Sequence, residues 1–393
     1  MKTRIYYIIS IFSLLLGCNN ESNQELLQIE ETSPEVQEVS NAINLINEFS
    51  SVVNDIEVSA KSSSLSLSLS DTKTLFFDAI NTKSGNTPAN DSITLYTFDL
   101  EINGTKGFAI ASGDERVGRV YAYVENGSLS DTSYIYGMTQ MITDIPKICE
   151  QDIENYDSGS VAVTKSKGVY PEGKTTSPAL EWGQGAPYNY GTPSSSCSSG
   201  YYAAGCGVIA MAQTIAFYGV CDQYFDFEAL TAQKKITTSS STALQNEVSS
   251  FVAHVGGLCD AIYGCSEDGG TSTYFSVCAN VLTDLGYTYN SSDELDGRMV
   301  RDVFYCNRDG GNMVLCRGAD TYGRGGHMWA ICGIVCLVNE ATQERTPQSV
   351  LCNWGWNGTS NGWYSLSNEA YNKPIDTDYD FSISNRSIYI NMD

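Results

Sequence analysis

The stretch Ala203-Ala204-Gly205-Cys206-Gly207-Val208-Ile209-Ala210-Met211-Ala212-Gln213-Thr214-Ile215-Ala216-Phe217-Tyr218-Gly219 decides the reading of this chain. After a Gly-Cys-Gly turn the run is apolar nearly all round, the pattern of a helix buried in a core rather than lying on a surface. Gly219 is a natural stop. Cys206 therefore stands at the N-terminal end of a buried helix, where the macrodipole favours thiolate over thiol and free backbone N–H groups face the sulfur. The flanking glycines leave room for an approaching carbonyl. The same pattern also suits a structural cysteine at a helix start, and the stretch alone does not choose between the two.

A thiol nucleophile in a peptidase needs an imidazole to take and return a proton, and the 393-residue chain has only two histidines. His254 lies in Val248-Ser249-Ser250-Phe251-Val252-Ala253-His254-Val255, a predicted helix, and its apolar neighbours suit a packing or surface role. His327 follows Gly323-Arg324-Gly325-Gly326 and opens Met328-Trp329-Ala330-Ile331-Cys332-Gly333-Ile334-Val335, so a glycine loop delivers it to the first position of a predicted buried strand. Val350-Leu351-Cys352-Asn353-Trp354-Gly355-Trp356 reads as a short strand ending in a polar-aromatic cluster. There Asn353 can accept from the imidazole N–H and fix its tautomer, while Trp354 screens that bond from water. A tight turn with an aromatic anchor is the competing reading of the same residues. Upstream, Trp182-Gly183-Gln184 offers a glutamine amide to an oxyanion, together with the Cys206 backbone N–H.

Taken in order, several motifs resemble the streptopain family of papain-fold bacterial cysteine peptidases. They are Trp182-Gly183-Gln184 with Pro187-Tyr188-Asn189, Gly205-Cys206 with Met211-Ala212-Gln213, Gly325-Gly326-His327, and Asn353-Trp354-Gly355-Trp356 with Gly362. The resemblance implies an α+β, papain-like fold, with a central buried helix holding Cys206 against a twisted antiparallel sheet holding His327 and Asn353. It implies a cysteine endopeptidase in which Cys206 carries the acyl-enzyme and His327 is general base and acid. Gln184 then helps build the oxyanion hole, and Asn353 and Trp354 orient and screen the histidine. No metal or organic cofactor is implied, and the partners are protein or peptide substrates. Gly207 departs from the family, which more often has a small β-branched or apolar residue after the nucleophile.

Before this domain, Leu95-Tyr96-Thr97-Phe98-Asp99-Leu100-Glu101-Ile102 alternates in and out, Asn103-Gly104 makes a turn, and Gly107 to Ala111 and Val117 to Val124 supply further strands. This hairpin-rich module, especially Gly107-Phe108-Ala109-Ile110-Ala111-Ser112-Gly113-Asp114, is similar to the family's inhibitory prodomain, which implies a zymogen. The polar stretch Asp152 to Thr176, with Lys165 and Lys167, is the expected cleavable junction.

At the start, Lys2 and Arg4 precede an apolar run, Ile5 to Leu16, too short for a comfortable membrane span. Leu15-Leu16-Gly17-Cys18 resembles a bacterial lipoprotein signal, which makes Cys18 the lipidated residue and the cell envelope the expected location. The divisions read from the sequence are a signal peptide over 1–17, a tether over 18–74 with a helix around Val39 to Val53, an inhibitory prodomain over 75–160 and the catalytic domain over 161–393. A net charge of −24 argues against a nucleic-acid partner, because counterion replacement needs a basic surface. Thirteen cysteines match no disulfide framework; many are expected to be small core residues, and with so few histidines a structural zinc is disfavoured. A peptidoglycan-cleaving or acyl-transfer enzyme with the same triad, a silent peptide-binding homologue and a disulfide-built adhesin are the competing functions.

Overall fold

The computed structural model describes residues 33–56, 65–77, 81–82, 85–86, 91–133, 135–157, 168–176, 179–219, 224–292, 295–306, 312–319, 326–366 and 386–391. The N-terminal module comprises helix α1 (Pro34–Ile56), strand β1 (Leu65–Phe77), the short pair β2 (Asn81–Thr82) and β3 (Gly85–Asn86), and strands β4 (Asp91–Ile102), β5 (Thr105–Ser112) and β6 (Arg119–Val124). Helices α2 (Tyr136–Thr143) and α3 (Ile145–Asp157) and strand β7 (Val169–Thr175) follow. The second part opens with α4 (Cys206–Tyr218), α5 (Phe227–Thr231), α6 (Thr242–Leu258) and α7 (Phe275–Asp284). It closes with β8 (Thr288–Ser292), α8 (Gly297–Cys306), β9 (Val314–Ala319), β10 (Gly326–Asn339), β11 (Arg345–Asn353), β12 (Gly362–Ser365) and β13 (Arg386–Asn391).

Both parts share one antiparallel sheet. Its order is β1-β4-β5-β6-β12-β11-β10-β9-β13-β8, with β7 also paired to β10. The seam is β6 on β12, where Tyr123 and Ala122 face Trp363 and Tyr364. This is the mixed helix and antiparallel-sheet architecture expected from the sequence. The β4–β5 hairpin turns on Asn103 (φ 52°) and Gly104 (φ 83°), a left-handed pair of the kind that suits tight hairpins. Helix α4 is buried from Gly207 to Ala216, with the Ala, Val, Ile and Met side chains packed on α5, α6, α7 and the sheet. It stops at Gly219, whose φ of 68° costs a side-chain-free residue little.

The tether assigned to 18–74 is corrected here. Helix α1, expected around Val39 to Val53, runs from Pro34 to Ile56 and buries Ala42, Leu45, Ile46 and Val53 against strands β4, β5 and β6. Ser50 Oγ and Tyr123 OH lie 2.8 Å apart, and Phe49 packs on the Tyr123 and Trp363 rings. The Ser-Leu alternation that opens at Leu65 is strand β1, paired antiparallel with β4 from Leu65 opposite Ile102 to Phe77 opposite Asp91, with a register shift between Leu69 and Asp71. A period of two fits a pleated strand, here with Leu65 and Leu67 half-buried and Leu69 exposed, which low-complexity composition disguised as linker. Residues 18–32 and 57–64 lie outside the described residues.

The Ser112-Gly113-Asp114 turn has a packing reason. A Cβ on Gly113 would lie 1.8 Å from the Glu38 carbonyl of α1, and Asn41 Nδ2 donates to the Gly113 carbonyl at 3.2 Å. Asp114 clasps Arg116, accepting from Nε at 3.0 Å and from an Nη at 2.7 Å. Parts of the expected junction, Asp152 to Thr176, lie in regular elements. Asp152 to Asp157 finish α3, and Val169 to Thr175 pair with β10, so of Asp152–Thr176 only 158–167 lies outside the described residues. If α1 is structural, Ile46→Ala should lower the unfolding free energy of the full-length protein by about 2–5 kcal/mol. Urea denaturation measures it, and a tether residue would leave the midpoint unmoved.

Candidate active site

Cys206 is the first residue of α4, part-exposed, with Gly205 (φ 94°) immediately before it. His327 enters β10 next to Gly326 and is paired opposite Gly318 of β9. The glycine loop 323–325 lies outside the described residues. The two side chains meet. Burial pushes the Cys206 thiol up, but the His327 charge, a hydrogen bond from the imidazole and the backbone N–H groups of Met328 and Gly207 outweigh it, so the thiol lies below its ordinary value. Those N–H groups are what a helix start and a strand edge leave free to solvate an anion.

The other face of the imidazole is fixed by backbone. His327 Nε2 lies 3.0 Å from the Trp354 carbonyl oxygen. A carbonyl only accepts, so Nε2 carries the hydrogen and Nδ1 is the nitrogen left for the sulfur. The sequence reading gave this contact to the Asn353 side chain; in the structure that amide is engaged elsewhere. Its Nδ2 donates to Gln213 Oε1 at 2.8 Å and to the Leu180 carbonyl, and its Oδ1 accepts from Gly355 N–H at 3.1 Å. Asn353 thus shapes the turn that aims the Trp354 carbonyl, rather than touching the imidazole through that oxygen.

Trp354 is fully buried; its indole N–H donates to the Ser360 carbonyl at 2.8 Å, and its ring centre lies 6.3 Å from that of His327. Trp329, which the sequence reading passed over, stacks nearly parallel to the imidazole with centres 6.1 Å apart. Its signal was available: residues two apart on a strand share a face, so position 329 stands beside 327. Gln184 is half-buried, and its carbonyl accepts from Ala204 N–H at 2.9 Å, tying it to the segment that leads into Cys206. Gly183 bridges to Trp356, and Asn357 N–H donates to the Trp182 carbonyl, so this segment is stitched to the loop after Asn353. His254 is exposed on α6 and packs against the Phe225 ring.

Gly207 also finds its reason. A Cβ there would lie 2.4 Å from Thr273 Cγ2 and 2.9 Å from Met328 Sδ. Thr273 has little room to yield, because its hydroxyl donates to the Cys259 carbonyl. The wall carrying Thr271 and Thr273 is held by the Cys197–Cys265 disulfide and by Thr271 Oγ1 donating to the Ala203 carbonyl at 2.5 Å.

Comparison with known proteins then bears on the constellation. Residues 219–364 match the model of the Peptidase C10 family. That segment takes in His327, Asn353 and Trp354 and begins after Cys206. The match agrees with the streptopain resemblance of the motifs. Among solved structures, a fragment of Prevotella intermedia prointerpain A is similar over 81% of this chain and 98% of its own, at 18% identity and a TM-score of 0.48. The active wild-type Prevotella intermedia interpain A cysteine protease is similar over 55% of this chain and 94% of its own, at 21% identity and a TM-score of 0.42. No curated protein matches.

Two measurements test the geometry. Iodoacetamide should alkylate Cys206 well below the pH at which an ordinary thiol reacts, near 8.5. In His327→Ala the lowering influence is gone while burial still raises the thiol, so the acid limb should move to higher pH than in wild type. Gly207→Val should cost about 1–3 kcal/mol by overpacking and slow alkylation, as Thr273 or Met328 is displaced.

Proposed function

We propose that this chain is a cysteine endopeptidase made as a zymogen, with Cys206 as nucleophile and His327 as general base and acid. The observation that carries this is the meeting of Cys206 and His327, with the imidazole held from behind by the Trp354 carbonyl. In the proposed cycle the Cys206 thiolate attacks a peptide carbonyl carbon, forming the C–S bond while the carbonyl electrons move onto oxygen. The resulting oxyanion is met by the Cys206 backbone N–H and the Gln184 amide. Collapse breaks the C–N bond, and His327 gives its proton to the leaving amine. Water, deprotonated by His327, then hydrolyses the thioester, and the acid product leaves with the thiolate restored. Trp329 and Trp354 exclude water from the imidazole's flank, which strengthens the charge pair between thiolate and imidazolium.

The N-terminal module is proposed as the prodomain and intramolecular inhibitor. Its support is a grip on the machinery beside the dyad. Gly137 of α2 sits where a Cβ would lie 2.5 Å from the Trp354 ring and 3.2 Å from the Trp329 ring. Asp131 accepts from Ser360 Oγ at 2.5 Å, and Ser360 N–H donates to the Asn126 carbonyl at 2.7 Å, so the module holds the loop that follows Trp354. Arg119 pairs with Asp152 at 3.0 Å and also donates to the Gln348 carbonyl of β11. Release would follow cleavage within Asp152–Thr176, and a lipid on Cys18 would anchor the zymogen to the cell envelope; both rest on sequence alone.

In the purified full-length protein, Cys206→Ala should abolish casein hydrolysis and labelling by a thiol-directed peptidase inactivator, and wild type should mature to a smaller form. Casein cleavage persisting in the mutant would sink the assignment. Loss of activity is the stronger readout, since another protease can perform the processing.

A further inference from the structure

We infer that Gln213, on the same helix α4 as the nucleophile, is a positioning residue that locks the oxyanion segment and the histidine-orienting turn to that helix through a single oxygen. The inference deepens the dyad reading above and rests on it. Gln213 is fully buried on α4. Its Oε1 accepts from the Trp182 backbone N–H at 3.2 Å and from Asn353 Nδ2 at 2.8 Å. Trp182 leads into Gln184, whose carbonyl holds Ala204 N–H just ahead of Cys206. Asn353 in turn accepts from Gly355 N–H, which shapes the turn presenting the Trp354 carbonyl to His327 Nε2. One oxygen therefore joins the helix of the nucleophile, the segment of the oxyanion glutamine and the turn behind the histidine.

Amide orientations are ambiguous in isolation, but here backbone groups of fixed character set them. Trp182 N–H can only donate, so Gln213 must present oxygen. The Leu180 carbonyl can only accept and Gly355 N–H can only donate, so Asn353 must place Nδ2 toward Leu180 and Gln213 and Oδ1 toward Gly355. Gln213 Nε2 is buried with no hydrogen-bond partner among the described residues. A buried amide nitrogen left unmatched is unfavourable, so the side chain is retained here for its oxygen. That asymmetry separates positioning from filling of space. Glutamate keeps an oxygen at the same reach, ionised or protonated; methionine keeps the volume and loses the oxygen.

The test compares wild type, Gln213→Met and Gln213→Glu, each matured from the full-length chain. Iodoacetamide alkylation of Cys206 is followed against pH by peptide mass spectrometry, and turnover is followed on fluorescein-labelled casein. Gln213→Met should lose about 10–100-fold in kcat, the scale of a small misplacement of reacting groups, with little change in KM. Its alkylation acid limb should move up toward that of an ordinary thiol as the imidazole loosens. Gln213→Glu should restore both kcat and the wild-type limb. Should Gln213→Met not accumulate as folded protein, Gln213→Asn, whose oxygen is drawn back by one methylene, takes its place with the same expectation. The inference is overturned if both variants match wild type, which marks a space-filling role, or if Gln213→Glu is impaired as deeply as Gln213→Met, which shows that the oxygen is not what the site needs. A wild-type enzyme whose Cys206 alkylates like an ordinary thiol would overturn the dyad reading itself, and this inference with it.

Discussion

Strand β10 sets the geometry on which the rest of the site depends. Its side chains are buried from His327 to Val338. β9 pairs with its first half, from Gly326 to Ile331, β7 with its second, from Gly333 to Asn339, and β11 with Ala330 to Val338. Ala330 faces Asn353, the last residue of β11, so the chain beyond Asn353 falls alongside positions 327–329. Gly355, at φ 74°, then turns the backbone, and the Trp354 carbonyl meets His327 Nε2. A backbone acceptor fixed by sheet register gives the imidazole one tautomer without calling on a carboxylate. A strand so enclosed cannot slide by one residue without turning its buried face outward.

The same sheet explains why the N-terminal module belongs to the folded body. β6 continues the sheet past β12, and α1 packs on β5 and β6 and on β7, which lies within the expected junction and pairs with β10. Close approach without side chains recurs along this seam. At Gly137 a helix lies on two tryptophans, and at Gly127 a Cβ would fall 2.2 Å from Ser360 Oγ. Such contacts bury apolar surface and pair polar groups at once, at Asp131 and Ser360 for instance. The loop that the module holds also contains the acceptor of the Trp354 indole, the Ser360 carbonyl, which Tyr364 OH reaches as well at 2.7 Å. Grip on that loop is therefore grip on the tryptophan whose carbonyl orients the histidine.

Burial separates the reactive thiol from its neighbours. Cys149, Cys332 and Cys336 are pushed up to about 12, chiefly by desolvation, and burial likewise raises Cys316 and Cys352 well above an ordinary thiol. These are neutral, space-filling side chains at neutral pH. Cys197 and Cys265 are spent in a disulfide that braces the wall beside Cys206. Cys206 departs from this pattern because an imidazole and backbone N–H groups face its sulfur. Cys278 is lowered too, by a hydrogen bond with the Cys259 thiol, but it is buried, so thiolate character together with access sets Cys206 apart.

The sequence alone determined the helix that starts at Cys206, the strand that starts at His327 and the pairing of the two. An all-round apolar run, a glycine stop and a scarcity of histidine are local or countable properties. It also determined the β4–β5 hairpin, because Asn103-Gly104 carries its own turn geometry. The tertiary structure alone decided which oxygen holds the imidazole, since register between β10 and β11 set Trp354 there and left Asn353 to Gln213. It decided that Gly207 must lack a side chain, because Thr273 and Met328 come from distant segments. It also drew α1 and β1 out of an apparent tether, because a Ser-Leu alternation becomes a strand only beside a partner that takes up its backbone hydrogen bonds, here β4. Composition records what a segment can do, and packing against residues far along the chain settles what it does.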